Sequence, residues 1–309
     1  MKWFEMAGAR RVRALVIGGV PLLWLAAALP GAAHAYTVKD MTGREVTVAA
    51  PPRRIVSLVP SVTEILFTIG GQDRLAGVTD FCDFPPEARR KPRVGSMLAP
   101  SLEAIVALRP DLVVATTAGN RQETFDQLAR LGIPVYVVNP SRLAEVLELM
   151  TRLAALTGRS EAAEPVVAAL RGRIQAVRTR VTPLPRPRVL YVLWPEPLIV
   201  PGRSALITEL ITVAGGESVT ADGGEAYPRY SVEAALARAP EVILLARHGT
   251  PSSRISREQW ARFRTLPAIR AGRFHDVDGN LLHRYGPRVV DGLERLARLI
   301  HPEAFGQAR

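Results

Sequence analysis

From Arg54 onward the chain alternates short β-branched and aliphatic runs with longer stretches whose apolar positions recur every three or four residues. The short runs predict buried strands and the longer ones amphipathic helices, and their alternation predicts a mostly parallel sheet covered by helices. Arg54 to Val59 reads as a strand. Ser61 then opens a helix with Glu64 three residues on as a capping box, ahead of Ile65, Leu66 and Ile69, and Gly70-Gly71 closes it. Further strands are predicted at 75–79, 112–116 and 134–138, and helices at 101–108 and 121–131. Together these make one compact α/β lobe.

The pattern then repeats. Residues 101–115, SLEAIVALRPDLVVA, align without gaps on 231–245, SVEAALARAPEVILL, and TEILFTIGG at 63–71 matches TELITVAGG at 208–216. An Arg-led strand precedes each member of the second pair, Arg54 to Val59 and Arg188 to Leu193. Two matches in the same order predict a duplicated, two-lobed chain. Between the lobes, Ser160 to Thr182 carries Val166, Val167, Leu170, Ile174 and Val177 on one stripe, with acids in its first turn and Arg178 and Arg180 at its end. This predicts a helix of about 22 residues, roughly 33 Å long, ended by Pro183, Pro185 and Pro187. The predicted fold is two Rossmann-like α/β lobes, residues 36–159 and 183–309, joined by one long rigid helix at 160–182. A ligand cleft is expected between the lobes, since ligand sites favour domain interfaces and the C-terminal ends of parallel strands.

Ahead of the first lobe, residues 1–35 have the form of a cleaved export signal. Lys2, Arg10, Arg11 and Arg13 supply the positive region, Ala14 to Leu29 the apolar stretch, and Ala33-His34-Ala35 the small-x-small site. The apolar run is short for a membrane span, and no cysteine follows it as a lipid attachment point. The protein is therefore expected to be exported and soluble, most simply in a periplasm. Of the 309 residues 48% are apolar and 22% charged, an ordinary globular composition. The formal charge of +11 loses four basic residues and one acid, Glu5, with the leader, leaving 36 against 28, near +8. The arginines are scattered among acids, which predicts no nucleic-acid partner. One cysteine, Cys82, excludes a disulfide framework and multi-cysteine metal sites; it is expected to be a buried small apolar residue.

Catalytic signatures are missing: the chain has no GxSxG, HExxH, CxxC, GxGxxG or GxxxxGK[ST] motif. An exported Ser-His-Asp hydrolase on an α/β sheet is an alternative that the missing elbow disfavours. His248, His275, His283 and His301 do not stand at metal-ligand spacing on one helix, so no metal site is predicted. Three loops carry aromatics where a parallel sheet presents its ligand loops: Phe81 and Phe84 beside Asp80 and Asp83 in DFCDFPPEA, Trp194 in LWPEPL, and Tyr227 before Pro228. Such residues suit a large flat ligand, or they pack their own turns. Glu103 and Glu233 occupy equivalent first-turn positions of the repeat. Either serves its helix dipole, and the pair also suits docking onto a two-fold symmetric partner through arginines.

The stretches RIVSLVPSVTEILFTIG, GVTDFCDFPPEA, SLEAIVALRPDLVVA, QLARLGIPVYVV and YPRYSVEAALARAPEVIL carry a family resemblance. From about residue 36 to 303 the chain resembles periplasmic binding proteins that deliver vitamin B12, iron-siderophores or haem to ABC importers, most of all the cobalamin-binding members. The resemblance implies a monomer that is not an enzyme and has no catalytic cofactor. It implies that the protein captures cobalamin, a cobalt corrinoid, or a related metal chelate, and hands it to a permease dimer with its ATPase, docking at the inner membrane without anchoring there. It puts ligand contacts at Phe81, Asp83, Phe84, Met97, Thr116, Trp194, Tyr227 and Arg284, and the transporter-docking glutamates at Glu103 and Glu233. Met97 and Thr116 stand where the family pattern has tryptophans. An iron-siderophore or haem cargo is the alternative, and several arginines clustered with Arg284 would favour an anionic siderophore.

Overall fold

The structure is a computed structural model that describes residues 35–49, 51–247, 260 and 262–306. The predicted leader up to residue 34, and His248, lie outside them. An antiparallel hairpin of β1 (Ala35–Lys39) and β2 (Glu45–Ala49) comes first. The strands β3 (Ile55–Ser57), β4 (Leu75–Val78), β5 (Leu112–Ala115) and β6 (Val135–Val137) then form a parallel sheet in the order β4-β3-β5-β6. A second parallel sheet comprises β7 (Arg188–Val192), β10 (Glu217–Ser218), β11 (Val242–Arg247) and β12 (Phe274–Asp278) in the order β10-β7-β11-β12. A small hairpin of β8 (Trp194–Pro195) and β9 (Leu198–Ile199) is inserted after β7. Setting that insertion aside, both sheets have the order second, first, third, fourth, as the duplication predicts. Neither hairpin is among the elements that the pattern predicts.

The likeness of the halves extends to single atoms. Helices α1 (Pro60–Thr68), α2 (Leu102–Ala107) and α3 (Gln122–Arg130) serve the first sheet. Two long helices follow, α4 (Leu143–Thr157) and α5 (Ser160–Val181), and then α6 (Leu206–Val213), α7 (Val232–Ala237), α8 (Pro267–Arg270), α9 (Gly279–His283) and α10 (Val289–Ile300) in the second half. Ser101 and Ser231 cap α2 and α7 alike, each hydroxyl accepting at 3.1 Å from the amide three residues on. The guanidinium of Arg54 donates to the carbonyl of Leu108 at 2.9 Å and that of Arg188 to Ala239 at 3.0 Å, so each Arg-led strand is pinned to the exit of its helix. Carboxylates complete the match: Asp111 accepts from the Arg54 amide at 2.9 Å, and Glu241 from the Arg188 amide at 3.0 Å.

Alternation along the strands explains how the halves are held. Ile55, Leu112 and Val114 of the first sheet, and Val189, Tyr191, Val242 and Leu244 of the second, belong to one continuous apolar cluster that includes α1, α4, α5, α6 and α10. Their neighbours in sequence point the other way. Val56, Val113 and Ala115 pack under α2 and α3, and Leu190, Val192, Ile243 and Leu245 form a separate core with Ala235 and Trp260. Both faces of each sheet are thus buried, as parallel sheets require. In α5, Ala163, Val167, Leu170, Ile174, Val177 and Val181 are buried, while Arg173 pairs with Asp291 at 2.6 Å and Glu294 at 2.8 Å on α10. The connecting helix is therefore part of the shared core along its length.

Two predictions follow from this packing. Gly70 and Gly215 close α1 and α6 with positive φ, +73° and +86°, but a Cβ at Gly70 meets nothing within 4 Å, whereas one at Gly215 falls 2.6 Å from His301 Nε2 and 2.8 Å from Val181 Cβ. Gly70→Ala should cost about 1 kcal/mol for its backbone alone, and Gly215→Ala about 3 kcal/mol once the clash is added, as read from urea midpoints. The shared core also predicts one cooperative transition. Trp194 and Trp260, the tryptophans beyond the predicted leader, report the second half, and the thiol of Cys82, buried and pushed up in pKa by that burial, reports the first. Tryptophan fluorescence and Cys82 labelling should lose their native values at the same urea concentration; separate midpoints would mean independent lobes.

Candidate functional site

In a parallel sheet every strand ends on the same edge, and the C-terminal edges of the two sheets meet here. Gly286, in the loop after α9, approaches α1 so closely that an added Cβ would lie 3.4 Å from Ser61 Cα and 3.3 Å from Glu64 Oε2. Glu64 does not close a capping box. Helix α1 starts at Pro60 with Val59 as an N-cap that lends no side-chain bond, and the Glu64 carboxylate, only 2% exposed, instead receives Arg288 from the other half at 2.6 and 2.9 Å. With Val59 as N-cap, Glu64 falls at the fifth helical position, two residues past the place of a capping-box acid, and its carboxylate is free for this longer reach. A buried carboxylate is tolerable only because it is bidentately paired; stripping its partner costs about 3–5 kcal/mol.

A second arginine joins the same acid. Arg284 Nη1 lies 3.6 Å from Glu64 Oε1 and donates to Asp83 Oδ1 at 2.5 Å. The Arg284 guanidinium beside Asp83 holds its carboxyl below the usual carboxylate range, outweighing the partial burial. The guanidinium of Arg288 stacks over the Phe84 ring, 3.8 Å from its centroid. The structure thus brings Asp83, Phe84 and Arg284 of the predicted contacts together. It adds Glu64, which the sequence reading takes only as a capping-box acid, and Arg288, which it passes over. Their signal was present: Glu64 is the one charged residue of PSVTEILFT, and Arg288 ends the run HRYGPR.

The loop that presents Asp83 and Phe84 is anchored from below. Cys82 is fully buried, as expected of it, and its sulfur lies 3.1 Å from Thr63 Oγ1 and 3.3 Å from Thr79 Oγ1. Arg93 ties the same turn by donating to the carbonyls of Thr79 at 2.5 Å and Cys82 at 3.1 Å. With the turn held, Phe81 stays 56% exposed. Trp194, which opens β8, is 41% exposed and donates its indole N–H to the Glu196 carbonyl at 3.0 Å.

The remaining predicted contacts divide. Tyr227 shares a hydrogen bond with Tyr285 through their hydroxyls, and Tyr285 itself has a positive φ of 49°. Burial, with each other's proximity, pushes the phenol of Tyr227 far up, and burial raises that of Tyr285, so both stay neutral. His283 lies beside them, its Nε2 2.8 Å from the hydroxyl of the buried Tyr191. Met97 and Thr116 come together in the first half but around a turn: Thr116 is buried, its amide donates to Asn120 Oδ1 at 2.8 Å, and Asn120 donates to the Met97 carbonyl at 2.6 Å. A Cβ at Gly119 would fall 1.9 Å from Met97 Cε, so the methionine lies over this turn. Glu103 and Glu233 are both exposed in the first turns of α2 and α7, and Glu233 accepts from the Ser231 hydroxyl at 2.7 Å.

Chemically, the site offers exposed aromatic area on Phe84 beside two arginines, each paired with a carboxylate, and the exposed Arg89 donates to the Asp83 carbonyl at 3.3 Å. Among the described residues no three His, Cys, Asp or Glu side chains converge as a metal-holding group.

The sequence and the fold have counterparts. The chain is 27% identical over 260 residues to the vitamin B12-binding protein of Vibrio campbellii, covering 84% of this chain and 92% of that one. It is 29% identical over 246 residues to the vitamin B12-binding protein of Vibrio cholerae, covering 80% and 88%. Among solved structures, the periplasmic vitamin B12 binding protein BtuF of Vibrio cholerae superimposes with a TM-score of 0.72 at 28% identity, over 83% of this chain and 99% of that one. A periplasmic haem-binding protein from Pseudomonas aeruginosa does so with a TM-score of 0.73 at 27% identity, over 81% and 93%. The family model described as periplasmic binding protein matches residues 55–281, most of both sheets and all of the connecting helix, and the chain belongs to that family.

Proposed function

We propose that this protein captures a corrinoid, with cobalamin as its cargo, in the cleft between its two sheets and delivers it unchanged to an ABC importer. The observation that carries this reading is the facing of two strand-end edges whose loops expose Phe81, Phe84 and Trp194, with the Phe84 ring against the paired guanidinium of Arg288. Aromatic area with few polar contacts suits a broad macrocycle bearing neutral amides. The names of the B12-binding relatives support the same cargo. On this reading the leader at 1–35 is removed on export, residues 36–159 and 183–309 act as the two lobes, and 160–182 acts as the spacer. The mature monomer works in the periplasm as a carrier, with no bond made or broken. Phe81, Phe84, Trp194 and Tyr227 would contact the ligand, with Arg284 and Asp83 between the lobes. Met97 and Thr116 would form a thinner stretch of wall than an indole provides.

Haem is the second reading, favoured by the likeness to haem-binding structures. Against it, Tyr227, Tyr285 and His283, the side chains suited to ligate an iron, are all hydrogen-bonded within the protein, and burial keeps the phenols protonated.

Glu103 and Glu233, repeated on the two halves at the starts of equivalent helices, are the docking points for a permease dimer, one carboxylate for each subunit.

Isothermal titration of the purified protein with cyanocobalamin should give one-to-one binding at micromolar Kd or tighter, about −8 kcal/mol or better; no binding by well-folded protein would overturn the corrinoid reading. Reversing both docking acids, Glu103→Arg with Glu233→Arg, should abolish transporter-dependent cobalamin uptake and leave the titration within about twofold of wild type. Uptake at the normal rate would sink the docking assignment.

A further inference from the structure

The arginines between the sheets are not available in the way their number suggests. Arg284 and Arg288 stand four residues apart, and a pair of cations in a ligand cleft ordinarily signals an anionic guest. Here each is already matched: Glu64 takes Arg288 bidentately at 2.6 and 2.9 Å and lies 3.6 Å from Arg284, and Asp83 takes Arg284 Nη1 at 2.5 Å. The two acids differ in kind. Glu64 is 2% exposed and belongs to the joint between the halves, whereas the Asp83 side chain is 45% exposed on the loop that carries Phe81 and Phe84. Asp83 is thus the carboxylate that an incoming ligand meets.

We propose that Asp83 is a specificity-determining residue of the cleft: by occupying Arg284 it turns away chelates that carry carboxylates and admits chelates with an uncharged amide rim. This rests on the cleft being the ligand site, and it narrows the substrate class taken there. A ligand carboxylate reaching Arg284 must displace Asp83 and then lie against it, and two carboxylates in one partly desolvated site repel. A neutral amide carbonyl meets no such obstacle. Arg284 has five N–H donors, and among the described residues both of its carboxylate partners meet it at Nη1, so it donates to an amide oxygen from Nε or Nη2 with the Asp83 pair intact.

The test compares haemin, which carries two propionates, with cyanocobalamin, whose corrin rim is amidated, on wild type, Asp83→Asn, and the double variant Asp83→Asn/Arg284→Gln. The ratio of the haemin Kd to the cyanocobalamin Kd should fall at least tenfold in Asp83→Asn, through tighter haemin binding, and recover in the double variant, where the freed guanidinium is gone. Asp83→Ser, of smaller volume, should repeat the shift and guards against misfolding of a single variant. Haemin affinity that does not improve in either single variant, or that improves equally without Arg284, would overturn the role of Asp83. A wild type that binds no cyanocobalamin would overturn the corrinoid reading instead, while the haemin arm still decides Asp83. Because only charge distinguishes them, cyanocobalamin derivatives with one side-chain amide hydrolysed to the acid provide a second wild-type measure. At least one such isomer should bind ten times more weakly than the parent, and parity for all of them would overturn the proposal.

Discussion

The structure depends on one apolar core that belongs to both sheets. The inner strands of both parallel sheets are buried on two faces, and alternation sends every second residue inward to a cluster shared with α4, α5, α6 and α10. Wide hinge motion would pull Tyr191, Leu244 and their neighbours away from the α5 stripe of Val167, Leu170, Ile174 and Val177. At about 25 cal/mol per Å² of apolar surface re-exposed, even a few hundred Å² would cost several kcal/mol. A binding protein built in this way meets its ligand with a cleft whose walls are already in place, so little of the binding energy is diverted into closing the lobes.

That rigidity makes the polar joint between the halves consequential. The edges face each other at a fixed separation, and the acids and arginines there are paired across chain distances of two hundred residues or more, as with Asp83 and Arg284 or Glu64 and Arg288. Such pairs contribute modestly to stability, since desolvation offsets most of their attraction. Their proposed effect is on what enters. With both arginines paired, the exposed aromatic surfaces of Phe81, Phe84 and Trp194 are left on the strand-end loops, which is the basis for proposing a broad guest with an uncharged rim.

The duplication joins fold to function. Because Ser101 and Ser231 cap their helices with the same bond, and Arg54 and Arg188 hold the exits of those helices in the same way, Glu103 and Glu233 are presented alike on the two halves. Under the proposed docking, these two equivalent acids would meet two equivalent transporter subunits.

Much of this was legible in the sequence by itself. The alternation of strand and helix, the repeated SLEAIVALRP and SVEAALARAP segments, the 22-residue connecting helix and the aromatic strand-end loops rest on local rules: hydrophobic period, capping serine, glycine where φ turns positive. Local rules fail where a residue's partner is remote. Glu64 stands three residues after Ser61 and satisfies the pattern of a capping box, yet it bonds Arg288, because Gly286 brings that arginine against α1. Arg284 could be seen as a cation near the site, but its pairing with Asp83 could not. Which edges meet, and which charges are left over when they do, is decided by long-range packing, and only the tertiary structure carries it.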